Sequence, residues 1–329
     1  MQTLAKRAVR KIGKMIFPEP TPKPRPPVPV NNPYPIRTPA ATTRSPVDEY
    51  WGGYTIRSEP FSTAEEHIAF HKWRDEHFHK SYAFKGLWAD HTGETLLDYG
   101  CGPGHDVTGF LVHSNPAKVY GVDVSHWALS LAGHNAGLQG VSADRIELIQ
   151  TADLTDRIPL PDAAVDYVHS CGVVHHTSHP AGILKEFHRV LKPGGRGLLM
   201  VYNRASVFYH LYVAYARLIL EPQWARKSIE EVFTASTDGP DCPVSICYEP
   251  AEFTAMCETA GFETEFVGGF VASNELDLWD MHAARALRDP RLGAAHKEFL
   301  KALDWDADRL PLYLGKYAGI GGTYRITRR

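Results

Sequence analysis

From about Tyr50 onward, apolar and polar positions switch between two periods. Apolar runs at 95–99 (TLLDY), 118–122 (KVYGV), 146–150 (IELIQ), 165–170 (VDYVHS) and 197–202 (GLLMVY) each have the length of a buried strand, and helical spacing fills the stretches between them. This alternation predicts a parallel sheet with helices on both faces. A helix is expected over 62–84, ahead of the first strand. Beyond Asn203 the pattern predicts an apolar helix over 206–220, a loop rich in Asp, Gly and Pro, a helix over 250–260 and a strand over 262–267. A second helical insertion over 274–303 and a last strand over 322–327 follow. The expected fold is α/β: a doubly wound, seven-stranded, mainly parallel sheet with the last strand antiparallel, inserted helices and an extended N-terminal segment.

That N-terminal segment has two parts. Residues 1–17 carry Lys6, Arg7, Arg10, Lys11 and Lys14 and no acid, while Leu4, Ala8, Ile12, Met15 and Ile16 recur at helical spacing. A basic amphipathic helix of this kind reads as a membrane-surface anchor, a transit-type targeting peptide or a partly ordered tail. Residues 18–49 are rich in proline and poor in large apolar side chains, which predicts an extended linker. The remaining 50–329 divide into lid helices (50–92), a ligand-binding core (93–203) and substrate-side insertions (204–249 and 271–320).

Charge and cysteine usage narrow the function class. A net charge of -3 leaves no basic excess for a nucleic-acid partner. No stretch approaches the ~20 apolar residues of a membrane span. The five cysteines contain no CxxC pair, so they read as ordinary thiols in a reducing compartment and not as metal ligands. The expectation is a cytoplasmic protein, with the inner membrane surface as the place where residues 1–17 would attach it.

The chemistry concentrates after the first strand. LLDYGCGPG, 96–104, runs a buried strand into a turn containing Gly100, Cys101, Gly102 and Gly104, with a helix from about Asp106. Glycines there permit positive φ and close approach of a ligand, and the helix N-terminus offers unpaired N–H groups. Asp98 closes the first strand. Asp123 closes the second in VYGVDVS, where its carboxylate, followed by Val124, suits a ribose diol. Asp153, in TADL after the third strand, can accept from an exocyclic adenine amine. The fourth strand ends in VHSCGVVHHT, bringing Ser170, Cys171, His175 and His176 toward the same crevice. An ammonium, a ribose and an adenine fit these acids, and the loop has no cation for a pyrophosphate; S-adenosylmethionine (SAM) has that composition.

With LLDYGCGPG, VYGVDVS, TADL, IPLPDAAVDYVHSCGVVHHT and ILKEFHRVLKPGG in this order, residues 96–203 resemble the class I SAM-dependent methyltransferases, especially the ubiquinone/menaquinone-methyltransferase-like branch. The resemblance implies a Rossmann-like methyltransferase fold. It also implies that the loop glycines and Asp98 hold the methionine end, Asp123 the ribose, and the Asp153–Leu154 pair the adenine, with residues at the fourth strand end facing the methyl group.

Methyl transfer mainly requires alignment and exclusion of water, with a base only for a protonated acceptor. His175 and His176 are the candidates for that base or for orienting the acceptor. His67 and His71 stand at i, i+4 and, with His77 and His79, invite a metal reading, but packing in a lid with Trp73, Tyr50, Trp51 and Tyr54 is the expectation, and no metal is assigned. Tyr202, Phe208, Tyr209, Tyr212 and Tyr215 suggest either core or a moderately apolar acceptor pocket, together with the loop 236–243. The [N/D]-P-P-[Y/F/W] tetrapeptide of amino-group methylases is absent, which favours oxygen or carbon on a small-molecule or lipid-like acceptor. Two competing readings are an NAD(P)-dependent Rossmann oxidoreductase, for which GCGPGHD lacks the third glycine, and a non-catalytic, membrane-tethered SAM-binding protein.

Overall fold

Leu96 and Leu97 are chain neighbours, both fully buried, and each belongs to a different core. Successive strand residues point to opposite faces, so a strand apolar at every position must be covered on both sides. The computed structural model, which describes residues 30–38, 44–55, 59–79, 89–155 and 157–329, shows that cover.

Strand β1 (Ile36–Arg37), helices α1 (Pro46–Gly53) and α2 (Ala64–His77) and strand β2 (Phe78–His79) precede the central unit. That unit comprises β3 (Thr95–Tyr99), α3 (His105–His113), β4 (Lys118–Asp123), α4 (His126–Leu138), β5 (Ile146–Gln150), β6 (Val165–Cys171), α5 (Pro180–Val190) and β7 (Leu191–Asn203). A π-helical segment Phe208–Arg217, α6 (Ile229–Thr237), β8 (Cys247–Tyr248), α7 (Pro250–Thr259) and β9 (Phe262–Ala272) follow. Next come α8 (Ser273–Ala286), α9 (Ala294–Lys301), a small sheet of β10 (Asp304–Trp305), β11 (Pro311–Tyr313) and β12 (Lys316–Tyr317), and the last strand β13 (Gly321–Arg328).

The main sheet has the order β1-β5-β4-β3-β6-β7-β13-β9-β2, with β8 added beside β7. Strands β3 to β7 are parallel, and β13 lies antiparallel between β7 and β9. This is the doubly wound, seven-stranded arrangement expected, extended at both edges by two-residue strands too short to leave a periodic signal. Helices α3 and α4 cover Leu96, Val119 and Leu148, while α5 and α7 cover Leu97, Ile149 and Val168. Strand order reverses between β3 and β6, and the crevice at that switch point is where such sheets bind ligands.

Two expectations need correction. The linker does not extend to residue 49 as a free spacer. Tyr34 is buried with its hydroxyl donating to Val141 O at 2.6 Å, β1 pairs with β5, and α1 begins at Pro46 behind a reciprocal Ser45–Asp48 capping box. A proline-flanked extended chain can satisfy a sheet edge, because its missing N–H groups face away from the ladder. The expected basic helix and the linker up to residue 29 lie outside the described residues. The helix read over 62–84 ends at His77, since Phe78–His79 leave it to pair with β9 and the Phe78 ring packs on Phe270 at 5.1 Å. Of the two readings open for the aromatics after Asn203, core or acceptor pocket, Phe208, Tyr209, Tyr212 and Tyr215 take the first and are buried in core clusters. Val207, Leu211 and Tyr215 pack against Ala283 and Ala286 of α8 and Phe299 of α9, so this insertion builds its own core.

Candidate active site

The C-terminal ends of β3, β4, β6 and β7 open into a cavity of about 540 Å³. Its floor is the glycine turn. Gly100, Gly102 and Gly104 have φ of 72, 51 and 71°, the left-handed region that a side chain resists. At Gly104, which caps α3, an added Cβ would come within 2.5 Å of the Ala132 Cβ, so this glycine allows α3 and α4 to meet and does not line the cavity. Gly102 lines it and donates its N–H to Asp123 Oδ2 at 2.8 Å.

Asp98 stands at one end of the turn, 3% exposed, with no hydrogen-bond partner for its Oδ2 among the described residues. Burial pushes its carboxyl up to about 7; His169 and Arg74 pull the other way, and the neighbouring carboxylates Asp106 and Asp123 add to the rise. Arg74 of α2 lines the same end and pairs with Asp106 Oδ1 at 2.7 Å, while His169 Nε2 meets Asp106 Oδ2 at 3.1 Å. Burial alone would raise Asp106, but the Arg74 guanidinium and the His169 imidazole hold it well below the usual carboxylate range.

Asp123 is half-buried at the end of β4. Burial raises its pKa against the N–H groups of Ser125, Gly102 and Val124, and two of those bonds leave lone pairs for a further donor. Asp153 is engaged more fully. Its carboxylate accepts from Ser178 N at 2.9 Å, Ser178 Oγ at 2.5 Å and Ser45 Oγ at 3.2 Å, and its N–H donates to Asp48 Oδ1 at 2.8 Å. The N-terminal helix α1 is thereby fastened to the third strand's loop.

At the opposite end, His176 Nδ1 donates to Val244 O at 2.8 Å and its Nε2 lies 3.5 Å from Asp238 Oδ1. Asp238 is buried and further held by the hydroxyls of Tyr202, Thr237 and Ser245 at 2.7–2.8 Å, and Tyr50 Oη donates to its backbone carbonyl at 2.5 Å. Trp51 roofs the pair, its ring 4.7 Å from His176.

Of the residues singled out in the sequence, Asp98, Gly100, Cys101, Gly102, Asp123, Val124, Asp153, Cys171 and His176 line the cavity. Four do not. Leu154 is 47% exposed and turned to solvent; Ser170 donates to Tyr99 O at 3.0 Å and ties β6 to β3; Gly104 serves helix packing. His175 is fully buried, its ring 4.0 Å from that of Tyr202 and tilted 45° to it, and burial followed by neighbouring His176 presses it far below the usual histidine range. Trp51 and Tyr54 line the cavity as lid residues, His77 stacks on Trp73, and the side chain of His79 lies outside the described residues. Thr237 and Asp238, from the loop 236–243 read as part of the acceptor pocket, also line the cavity, whereas Arg74, Asp106 and the Ser45–Asp48 cap escaped the sequence reading. Asp106 alone had a local signal, as the acid in the first turn of the helix after the glycines.

Residues 97–199 match the family model described as methyltransferase domain. The chain carries a methyltransferase domain. A stretch of 105 residues is 35% identical to an uncharacterized 37.1 kDa protein in transposon TN4556 of Streptomyces fradiae, covering 32% of this chain and 29% of that one. A ubiquinone biosynthesis O-methyltransferase of Pseudomonas paraeruginosa is 28% identical over 160 residues, 46% of this chain and 66% of that one. The chain therefore spans less than two thirds of the length of either relative. The crystal structure of an S-adenosylmethionine dependent methyltransferase from Mesorhizobium loti aligns over 75% of this chain and 99% of that one, at 18% identity and a TM-score of 0.46. The methyltransferase domain coincides with the strands that enclose the cavity, from Leu97 in β3 to Leu199 in β7.

Proposed function

We propose that this protein transfers a methyl group from SAM to a small-molecule or lipid-like acceptor, at oxygen or carbon. The observation that carries the proposal is the buried, unpartnered Asp98 oxygen beside a glycine turn that ends on the Asp123 carboxylate. These residues fit SAM. Asp98 offers an acceptor to an ammonium, Arg74 a guanidinium to a carboxylate, and Asp123 free lone pairs to a ribose diol. The same buried Asp98 repels a pyrophosphate, which counts against the oxidoreductase reading. Bound there, SAM would supply an electrophilic sulfonium methyl group.

The protein's own contribution is positioning and a proton acceptor. Trp51, Tyr54, Phe70, Phe78 and Phe270 wall the cavity with rings, which suits an apolar acceptor and keeps water out. Because Nδ1 of His176 is committed to Val244 O, its lone pair is on Nε2, and a proton taken there from an acceptor hydroxyl meets Asp238. Similarity to an enzyme named as an O-methyltransferase supports a hydroxyl acceptor. We further assign the basic segment 1–17 to an inner membrane surface, where a lipid-like acceptor would be met; among the described residues no helix is long and apolar enough to cross a membrane.

Calorimetric titration with S-adenosylhomocysteine and, separately, NADH tests the class. Micromolar binding of the first, weakened by about 1–3 kcal/mol in Asp123→Ala, is the expected result. Binding of NADH alone would overturn the proposal.

A further inference from the structure

His67 and His71 stand one turn apart on α2, which brings both imidazoles to one face, and His105 opens α3. The three are 0, 6 and 8% exposed, and one nitrogen from each lies within 4.8 Å of the others. His67 Nε2 and His105 Nδ1 are 3.3 Å apart. Zinc–imidazole bonds of roughly 2.0–2.1 Å at the tetrahedral angle separate two ligating nitrogens by about 3.3 Å, so this pair has the spacing of one edge of a coordination tetrahedron.

We propose that His67, His71 and His105 bind a divalent cation of the zinc class, which fastens α2 across the start of the helix that follows the glycine turn. The donor set selects the ion. Three imidazoles with no carboxylate suit zinc, cobalt or nickel and not magnesium or calcium, which take oxygen ligands. The positive charge of nearby Arg74 is matched by Asp106 at 2.7 Å. Phe61, 4.8 Å from the His67 ring, and Phe70, 4.6 Å from His105, supply an apolar shell.

A second group, His176, Asp238 and Cys242, also gathers three donor atoms. There, however, both Asp238 oxygens accept hydroxyls and Cys242 Sγ donates to Val244 O at 3.3 Å, so two of its three donors are already engaged by hydrogen bonds. It serves as the control.

The test uses the full chain stripped with a chelator and titrated with Zn²⁺ by calorimetry and with Co²⁺ by visible absorption. Expected are one equivalent per chain, a cobalt spectrum without a thiolate charge-transfer band, and affinity weakened about tenfold or more in His67→Gln and His71→Asn but kept in His176→Asn. Circular dichroism establishes that each variant is folded, and the wild-type spectrum stands even where one is not. Absence of stoichiometric binding by folded wild-type protein, a thiolate band, or binding lost in His176→Asn and kept in the other two would each overturn the proposal.

Discussion

Asp98 shows what a single buried side chain can do for recognition. Its carboxyl, pushed up to about 7 by burial, is ionised above that pH and neutral below it. Affinity for a ligand carrying an ammonium is therefore expected to rise between pH 6 and 8, and calorimetry across that range checks it. Asp98→Asn should flatten the profile and lose about 1.5–3 kcal/mol at pH 8, as a lost charged hydrogen bond does. A different residue-scale prediction concerns backbone alone. Gly104→Ala puts a Cβ into Ala132 at a φ of 71°, and chemical denaturation should show a loss of about 2–4 kcal/mol from strain and overpacking together.

At the scale of elements, the active site is assembled by caps and joints. Asp48 closes the capping box of α1 and also accepts the Asp153 N–H, so one carboxylate sets both the helix start and the loop after β5 that carries Asp153. Asp48→Ala leaves two buried N–H groups unpaired. It should weaken S-adenosylhomocysteine binding by about 1–3 kcal/mol and raise hydrogen exchange through 46–53. If exchange there is unchanged, α1 is held by other contacts. The joint between β9, α8 and β13 is made by Glu275, whose Oε2 accepts from Ala272 N at 2.9 Å and Ile320 N at 3.3 Å. Burial pushes Glu275 up to about 8 against those bonds. A raised carboxyl means that the native state binds the extra proton from about pH 4.5 to 8, so this group's contribution to stability falls as pH rises through that window. Glu275→Gln should flatten the dependence of melting temperature on pH between 5.5 and 8; an unchanged slope would remove Glu275 as its source.

For the whole molecule, the described residues from 30 onward pack on β5 through β1 and bond Val141, after α4, through the Tyr34 hydroxyl. Deleting 1–29 should therefore leave S-adenosylhomocysteine affinity within about twofold, a shift of under 0.5 kcal/mol. The same deletion should abolish co-sedimentation with anionic vesicles, and co-sedimentation that survives it would sink the membrane assignment of residues 1–17.

The sequence by itself determines the sheet and the floor of the site. Thr95–Tyr99 and Ile146–Gln150 are read to the residue, because a strand buried on both faces must be apolar along its length. The turn from Asp98 to Gly104 is equally local, since strand, acid and glycines lie within seven consecutive residues whose φ requirements are written in their side chains. Only the tertiary structure decides the walls. Arg74 reaches Asp106 across 32 positions, Asp48 reaches Asp153 across 105 and Tyr50 reaches Asp238 across 188. A polar residue that finds its partner through packing carries no period and no fixed spacing, because its partner is set by how whole elements dock. The three histidines of the proposed metal site obey the same rule: two share a helical turn visible in the sequence, and the third arrives only when α2 lies over the glycine turn.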